Sequence, residues 1–250
     1  MRLAERIHLV GSGANGFDLT DPYDCHVYLL DGGSELALVD AGAGMGAGAV
    51  VENVRRAGFD PARIRQVLCT HAHGDHAGGA ARMRALLPGA SFAMSAHAAG
   101  LIERGDEVGT SLAPAIEAGI YPAGYRLEPC PVERRLADGD RVAVGDLELE
   151  CLETPGHADG HLSFLLEHGG RRSLFAGDLV FHGGTVLLQA THDCSVQALT
   201  ASLRRLRPLA LDALFPGHFA VSLRDGQRHV ERANAVLDTL LLPPPAVTAW

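Results

Sequence analysis

In four places along this chain a short apolar run ends in a loop carrying side chains that bind metal ions. Val67-Leu68-Cys69 leads into Thr70-His71-Ala72-His73-Gly74-Asp75-His76. Leu149-Glu150-Cys151-Leu152 leads into Thr154-Pro155-Gly156-His157, Ser173-Leu174-Phe175 into Ala176-Gly177-Asp178, and Ala213-Leu214-Phe215 into Pro216-Gly217-His218. Alternating or continuous apolar runs of this length read as half-buried or buried strands. Rigid strands ending at one edge of a sheet aim the residues on the loops that follow them, and such an edge is where open α/β sheets carry their sites. The recurrence therefore constrains the fold to one that gathers four strand ends.

The first loop is the densest, with four metal-capable side chains within six residues. Imidazole nitrogen suits zinc, copper, iron and nickel, and carboxylate oxygen adds charge to a site. Alone, the cluster fits a structural metal site or the chance clustering of a chain with thirteen histidines. The downstream loops with their own His and Asp residues favour a composite site of seven ligands.

His71-Ala72-His73-Gly74-Asp75-His76, Thr154-Pro155-Gly156-His157, Gly177-Asp178 and Pro216-Gly217-His218 together resemble the metallo-β-lactamase-fold hydrolase superfamily. Leu38-Val39-Asp40-Ala41-Gly42 is similar to that family's early strand-turn motif. The resemblance spans about residues 25–220. It implies an α/β fold, a four-layer αββα sandwich, in a single domain over residues 1–250. It also implies a centre of two divalent ions, with His71, His73 and His157 on the first, Asp75, His76 and His218 on the second, and Asp178 bridging. Zinc is the expected metal, and iron or manganese is compatible with the same donors. Asp40 is expected behind the ligands, accepting a hydrogen bond from one of them or from nearby backbone.

Bound divalent ions lower the pKa of water from 15.7 toward roughly 7, and a pair lying about 3.5–4 Å apart stabilises both attacking and leaving oxygens. The implied reaction is attack by a metal-bridging hydroxide on an ester, thioester or lactone carbonyl, with Asp75 steering the nucleophile's proton. Two other readings stay open: a mononuclear iron persulfide dioxygenase, and a metal-containing binding protein without turnover. Within the superfamily, Asp178 as a bridging carboxylate argues against the true β-lactamases. The set is similar to that of glyoxalase-II-like thioesterases and of lactonases. All twenty-one basic residues are arginine, and Arg204, Arg205 and Arg207 lie on an expected helix, which weakens the case for glutathione as the thiol. Some lactonases place a Tyr three residues after the bridging Asp, where this chain has Phe181.

Composition narrows the partners. A formal net charge of −9 argues for a small-molecule substrate and against nucleic acid, which calls for a basic face. With 47% hydrophobic and 20% charged residues the balance is that of a globular protein. No apolar stretch approaches eighteen residues, so no membrane partner is expected. Five scattered cysteines without a CxxC pair point away from a disulfide framework and toward the cytoplasm. Whether copies of the chain associate as a homo-oligomer is open.

Cys25–Leu30 and Glu35–Val39 read as a hairpin about Asp31-Gly32-Gly33-Ser34. Helices are expected near 47–57, near 76–87 beside Asp75 and His76, through Val196–Leu206, and over Gln227–Leu241, with Pro243-Pro244-Pro245 ending the last. His97 fits a helix start. Residues 105–131 show no clean period and read either as a lid or cleft wall or as an irregular contact surface. Candidate substrate contacts are Tyr121 and Tyr125 in that stretch, with Phe181 and His182 after the bridging Asp. His192 and Cys194 fall in a stretch that could form the cleft mouth. His161 is either a residue behind the site or an ordinary start of a strand.

Overall fold

The structure, a computed structural model, describes residues 1–247. Its first sheet has six strands in the order β1 (Ile7–Gly11), β2 (Val27–Asp31), β3 (Leu36–Val39), β4 (Ile64–Leu68), β5 (Ser91–Ser95) and β6 (Arg134–Leu136). The first three are antiparallel, and β3 through β6 are parallel. The second sheet has five strands, ordered β11 (Ala213–Pro216), β10 (Arg171–Gly177), β9 (Leu162–His168), β8 (Leu147–Glu153) and β7 (Arg141–Val144). Strands β10 and β11 are parallel, and the remaining pairs antiparallel.

Helices α1 (Ala47–Arg56), α2 (Ala80–Leu86), α3 (Ala96–Arg104) and the short α4 (Leu112–Glu117) follow strands of the first sheet. Helices α5 (Val196–Arg205) and α6 (Gln227–Asp238) belong with the second. Three apolar layers separate the four tiers. Val50, Val54, Met83 and Ile102 pack on Leu29, Leu38, Val67 and Phe92 on the outer face of the first sheet. Tyr28, Leu30, Val39 and Leu68 meet Leu149, Phe164, Phe175 and Phe215 between the sheets. Leu199, Leu203, Val230 and Leu237 cover Leu152, Leu165 and Leu174 on the far side. Strands such as Leu36–Val39 are buried along their whole length because both faces are covered. This is the αββα sandwich.

The hairpin forms as expected, with Leu30 opposite Ala37 and Asp31 opposite Leu36. Helix α1 occupies Ala47–Arg56, α5 starts at Val196, and Ser95 caps α3 by accepting from the Ala98 N–H, so His97 lies in a first helical turn. The first hairpin strand starts at Val27 rather than Cys25, and the last helix stops at Asp238, short of Leu241. The helix after the His cluster begins only at Ala80, and residues 74–79 form a turn. Gly79 explains the delay: its N–H donates to Gly42 O at 2.8 Å, and a β-carbon there would collide with the Ala41 carbonyl. The start of α2 therefore lies beyond Asp75 and His76.

Strand direction places the site. Strands β3 and β4 are parallel with Val39 opposite Leu68, so Asp40 and Thr70 emerge side by side. Strands β8 and β10 both run antiparallel to β9, and β11 runs with β10, so the loops carrying His157, Asp178 and His218 leave one common edge. Backbone hydrogen bonds join the two sheets there, from Leu162 N–H to Thr70 O and from His26 N–H to Gly217 O, both at 2.7 Å. The Tyr28 hydroxyl donates to Pro216 O at 2.6 Å.

Candidate metal centre

At that common edge the structure brings together the side chains of all seven residues expected as ligands. His71, His73 and His157 form one group, Asp75, His76 and His218 another, and Asp178 lies with His71 and His76; within each group the ligand atoms lie inside 4.8 Å of one another. Asp178 stands between the groups. Its Oδ1 is 3.3 Å from His76 Nε2, and its Oδ2 is 3.5 Å from His218 Nε2 and 3.6 Å from His157 Nε2. Asp75 Oδ2 is 3.0 Å from His218 Nε2. The turn before His218 requires Gly217, because a β-carbon there would meet the Asp178 carboxylate and the His76 ring.

The outward hydrogen bonds of the imidazoles fix which nitrogen faces inward. His73 Nε2–H donates to Asp193 Oδ2 at 2.9 Å, leaving Nδ1 as the inward atom. His157 Nδ1–H donates to Leu187 O at 3.0 Å, leaving Nε2 inward. The inward nitrogens of these two rings lie 3.0 Å apart. With both outer protons committed, two lone pairs face each other, which is repulsive unless a cation or a proton stands between them. His76 Nδ1–H donates to Asp40 Oδ2 at 3.0 Å and turns its Nε2 toward His218 Nε2, 3.3 Å away. The Thr70 hydroxyl donates to Asp40, so His71 Nδ1–H donates to that hydroxyl at 3.0 Å. His71 Nε2 and Asp178 Oδ1 are then buried without any hydrogen-bond partner. Unpaired buried polar atoms are costly, and a divalent cation is the partner this donor set fits.

The electrostatics agree. Burial, with the neighbouring rings of His76 and His73, pulls His71 well below the ordinary imidazole range. Burial takes His157 down to about 4, although Asp178 opposes the shift. Against the upward push of burial, His218 and His76 hold the Asp178 carboxyl well below the usual carboxylate range. Neutral His71 and His157 beside an ionised Asp178 are the protonation states that metal binding needs. Against the downward pull of burial, Cys25 and the nearby carboxylates raise His76, and Asp178 and Asp75 raise His218, so an ion in that group would displace their protons. Asp40 is held in a left-handed conformation, with φ of 66°, which Asp tolerates better than most residues. Its Oδ1 accepts the Thr70 N–H at 2.7 Å, so one carboxylate orients two adjacent loops.

The sequence model for the metallo-beta-lactamase superfamily matches residues 20–218. The chain belongs to that superfamily. Among curated relatives, a hydroxyacylglutathione hydrolase of Methylococcus capsulatus is 30% identical over 228 residues, covering 85% of this chain and 74% of that protein. An acyl-coenzyme A thioesterase of Gallus gallus is 29% identical over 234 residues, covering 87% and 76%. An atrochrysone carboxyl ACP thioesterase of Aspergillus fumigatus is 28% identical over 196 residues, and the match takes in 78% of this chain and 51%, about half, of that relative. Among solved structures, a subclass B3 metallo-beta-lactamase of Bradyrhizobium japonicum superposes with a TM-score of 0.72 at 23% identity, over 96% of this chain and 91% of that one. A metallo-beta-lactamase of Cronobacter sakazakii gives 0.73 at 22% identity, over 96% of both chains. These two likenesses are of fold.

In this superfamily member a cavity of about 700 Å³ opens over the metal-capable cluster. His73, Asp75, His157, Asp178 and His218 line its floor. Tyr121 lines the wall, stacks on Tyr23 at 5.6 Å between ring centroids, and donates its hydroxyl to Asp75 Oδ1 at 3.2 Å. Burial and the Asp75 charge push the Tyr121 phenol well above its ordinary pKa, so it stays a donor. The other expected substrate contacts lie elsewhere. Tyr125 is buried behind Tyr121 and donates to Ala43 O at 2.7 Å and to Gly74 O at 3.1 Å, bracing the His cluster's loop. Phe181 is buried against Phe219 and is not in the cavity lining. His182 is exposed, packs at a tilt against His229 with ring centroids 4.6 Å apart, and also lies off the lining.

Two supporting residues carried little sequence signal. Asp193 touches the site only through His73 and accepts the Ser111 hydroxyl at 2.8 Å. Nothing local in Thr191-His192-Asp193-Cys194 distinguishes it. His161 is fully buried, and its Nε2 accepts the Asp178 N–H at 3.1 Å while Nδ1 pairs with the Thr154 hydroxyl at 3.0 Å. Of its two readings, the residue behind the site is the observed one. The five cysteines are all unpaired.

Proposed function

We propose that this chain is a metal-dependent hydrolase of esters or thioesters, with lactones as related substrates, built on a dinuclear centre. The observation that carries the reading is the inward convergence of imidazole nitrogens and carboxylate oxygens, of which His71 Nε2 and Asp178 Oδ1 are buried without a hydrogen-bond partner. His71, His73 and His157 would hold one ion, Asp75, His76 and His218 the other, and Asp178 both. Zinc suits this nitrogen-rich set best, with iron or manganese as alternatives. The thioesterase and hydrolase names of the relatives support the reaction class. The complete second group favours hydrolysis over a one-iron dioxygenase.

When bound, such ions supply a water nucleophile ionised near neutral pH and a Lewis acid for the carbonyl oxygen. The chain's own residues supply the rest. Asp75 is positioned by Tyr121 on one oxygen and His218 near the other, and as an ionised carboxylate it can accept a hydrogen bond from the nucleophile and steer its proton. Asp193 and Leu187 O fix the tautomers of His73 and His157. Residues 105–131, in one domain with the rest of the chain, act as a cleft wall through Leu112, Ile120 and Tyr121, which shield the reacting carbonyl from bulk water. The unpaired cysteines support a reducing, cytoplasmic setting.

A panel of simple thioesters, lactones and aryl esters tests this, run beside an oxygen electrode with a persulfide. Turnover that stops on chelation, returns with metal and consumes no oxygen is the expected result. Oxygen uptake with the persulfide, or hydrolysis by metal-free protein, contradicts it.

A further inference from the structure

The cavity over the cluster is walled by apolar side chains, among them Leu112, Ile120, Leu187, Leu188 and Phe219. Its charged lining residues, among the described residues, are acidic or imidazole: Asp24, Asp75 and Asp178 with His73, His157 and His218. No arginine reaches it, and the chain has no lysine to offer. The three arginines at and just after the end of α5 are engaged in ion pairs elsewhere. Arg204 and Arg207 both pair with Asp238, at 2.9 and 2.8 Å, and Arg205 pairs with Asp138 at 2.6 Å. Arg126, close to the wall in sequence, donates to the Ala123 and Tyr125 carbonyls.

Two of the three cavity carboxylates, Asp75 and Asp178, would be metal ligands, and two divalent ions would leave positive charge on the floor, beside the reacting carbonyl. Asp24 lies outside the metal-capable groups, is 2% exposed and is pushed toward its neutral form by burial, so it supplies no cation to the wall. A carboxylate at the end of the substrate remote from the reacting carbonyl would lose its hydration against these walls, find no cation on them away from the metal floor, and approach a protein of net charge −9. An apolar acyl chain gains by the same burial. Pockets of this size bury most of a small ligand's surface, so the lining decides which one is accepted.

We propose that the cavity selects substrates with an apolar acyl chain and an uncharged leaving group next to the carbonyl, and that it discriminates against glutathione thioesters. This rests on the hydrolase reading and deepens it. The discrimination is electrostatic, so introducing a cation on the wall should reverse part of it. Ala118 is suited to that, being exposed and at the cavity edge just after α4.

The test holds the acyl group constant. S-octanoyl-N-acetylcysteamine and S-octanoylglutathione are compared by kcat/KM on the metal-loaded enzyme, with S-acetyl-N-acetylcysteamine as the short-chain control. The neutral octanoyl thioester should exceed each of the other two by at least about tenfold, and Ala118→Arg should narrow the gap to the glutathione ester several-fold through KM. Equal or better turnover of the glutathione ester overturns the proposal. Calorimetric binding of the two non-hydrolysable amide analogues is read in parallel. Preferential binding of the neutral amide without any turnover would sink the hydrolase reading and leave the ligand class standing. Preferential binding of the glutathione amide would overturn the ligand class by itself.

Discussion

Asp193 Oδ2 accepts a hydrogen bond from His73 Nε2 at 2.9 Å, joining two loops 120 residues apart. The bond fixes the tautomer that turns His73 Nδ1 toward His157 and makes that nitrogen more basic. Partners behind metal-binding histidines typically change metal affinity by 10–100-fold when removed. Asp193→Ala should therefore weaken zinc binding by about that factor in a competition titration against a chromophoric chelator. Affinity within twofold of wild type would show that His73 needs no such support.

Asp40→Asn separates charge from backbone geometry, because Asn also tolerates the left-handed conformation at this position. One amide oxygen cannot accept both from Thr70 and from His76, as the two carboxylate oxygens do. If the oxygen stays with Thr70, the amide N–H₂ faces His76 Nδ1, and the imidazole proton is driven to Nε2, the atom that faces Asp178 and His218. The variant should lose the ion of the Asp75–His76–His218 group while keeping the other. One metal per chain, read by elemental analysis, is the expected outcome, and two per chain would refute the tautomer argument.

His161→Ala removes the acceptor of the buried Asp178 N–H. Leaving a buried donor unsatisfied costs about 1–3 kcal/mol, to which the lost packing of the ring adds. The urea midpoint of the metal-free protein should fall accordingly. An unchanged midpoint would mean that Asp178 finds another partner.

These three residues also mark how far the sequence could be read. The metal-capable residues of the four loops could be picked out because strand, turn and His or Asp follow one another within a few residues, a pattern fixed by local geometry. Asp40 was legible for the same reason, as it directly follows Val39 at the end of β3. Asp193 was not, since only tertiary packing brings the irregular 181–194 stretch against His73. The same stretch accounts for His182 and Phe181. Gly183 takes φ of 86° and turns the chain, so that His182 packs on His229 and faces solvent rather than the cavity. The late start of α2 came from Gly78-Gly79, where close approach to the Gly42 loop outweighs helix propensity.

His229 supplies a pH signature away from the metal-capable groups. Its Nδ1 accepts the Gly183 N–H at 2.8 Å and its Nε2–H donates to Ser222 at 2.6 Å, so the folded ring is neutral. Burial, with His182 and Arg228 nearby, lowers its pKa to about 4, against about 6.5 in an unfolded chain. Between those values the unfolded state binds more protons, so this group's contribution to stability rises with pH through the window and is lost as pH falls from about 6.5 to about 4. Urea midpoints at pH 7 and pH 4.5 should differ more in wild type than in His229→Gln. Equal pH dependence in both would remove His229 from the account.

The central claim is a two-ion centre with one carboxylate shared between the ions, and it is tested most directly by metal content per chain. Protein purified without added metal should carry two divalent ions, mostly zinc, and His73→Ala should retain no more than one and lose turnover. One iron per chain in the wild type, or full activity in a metal-free variant, would contradict the account.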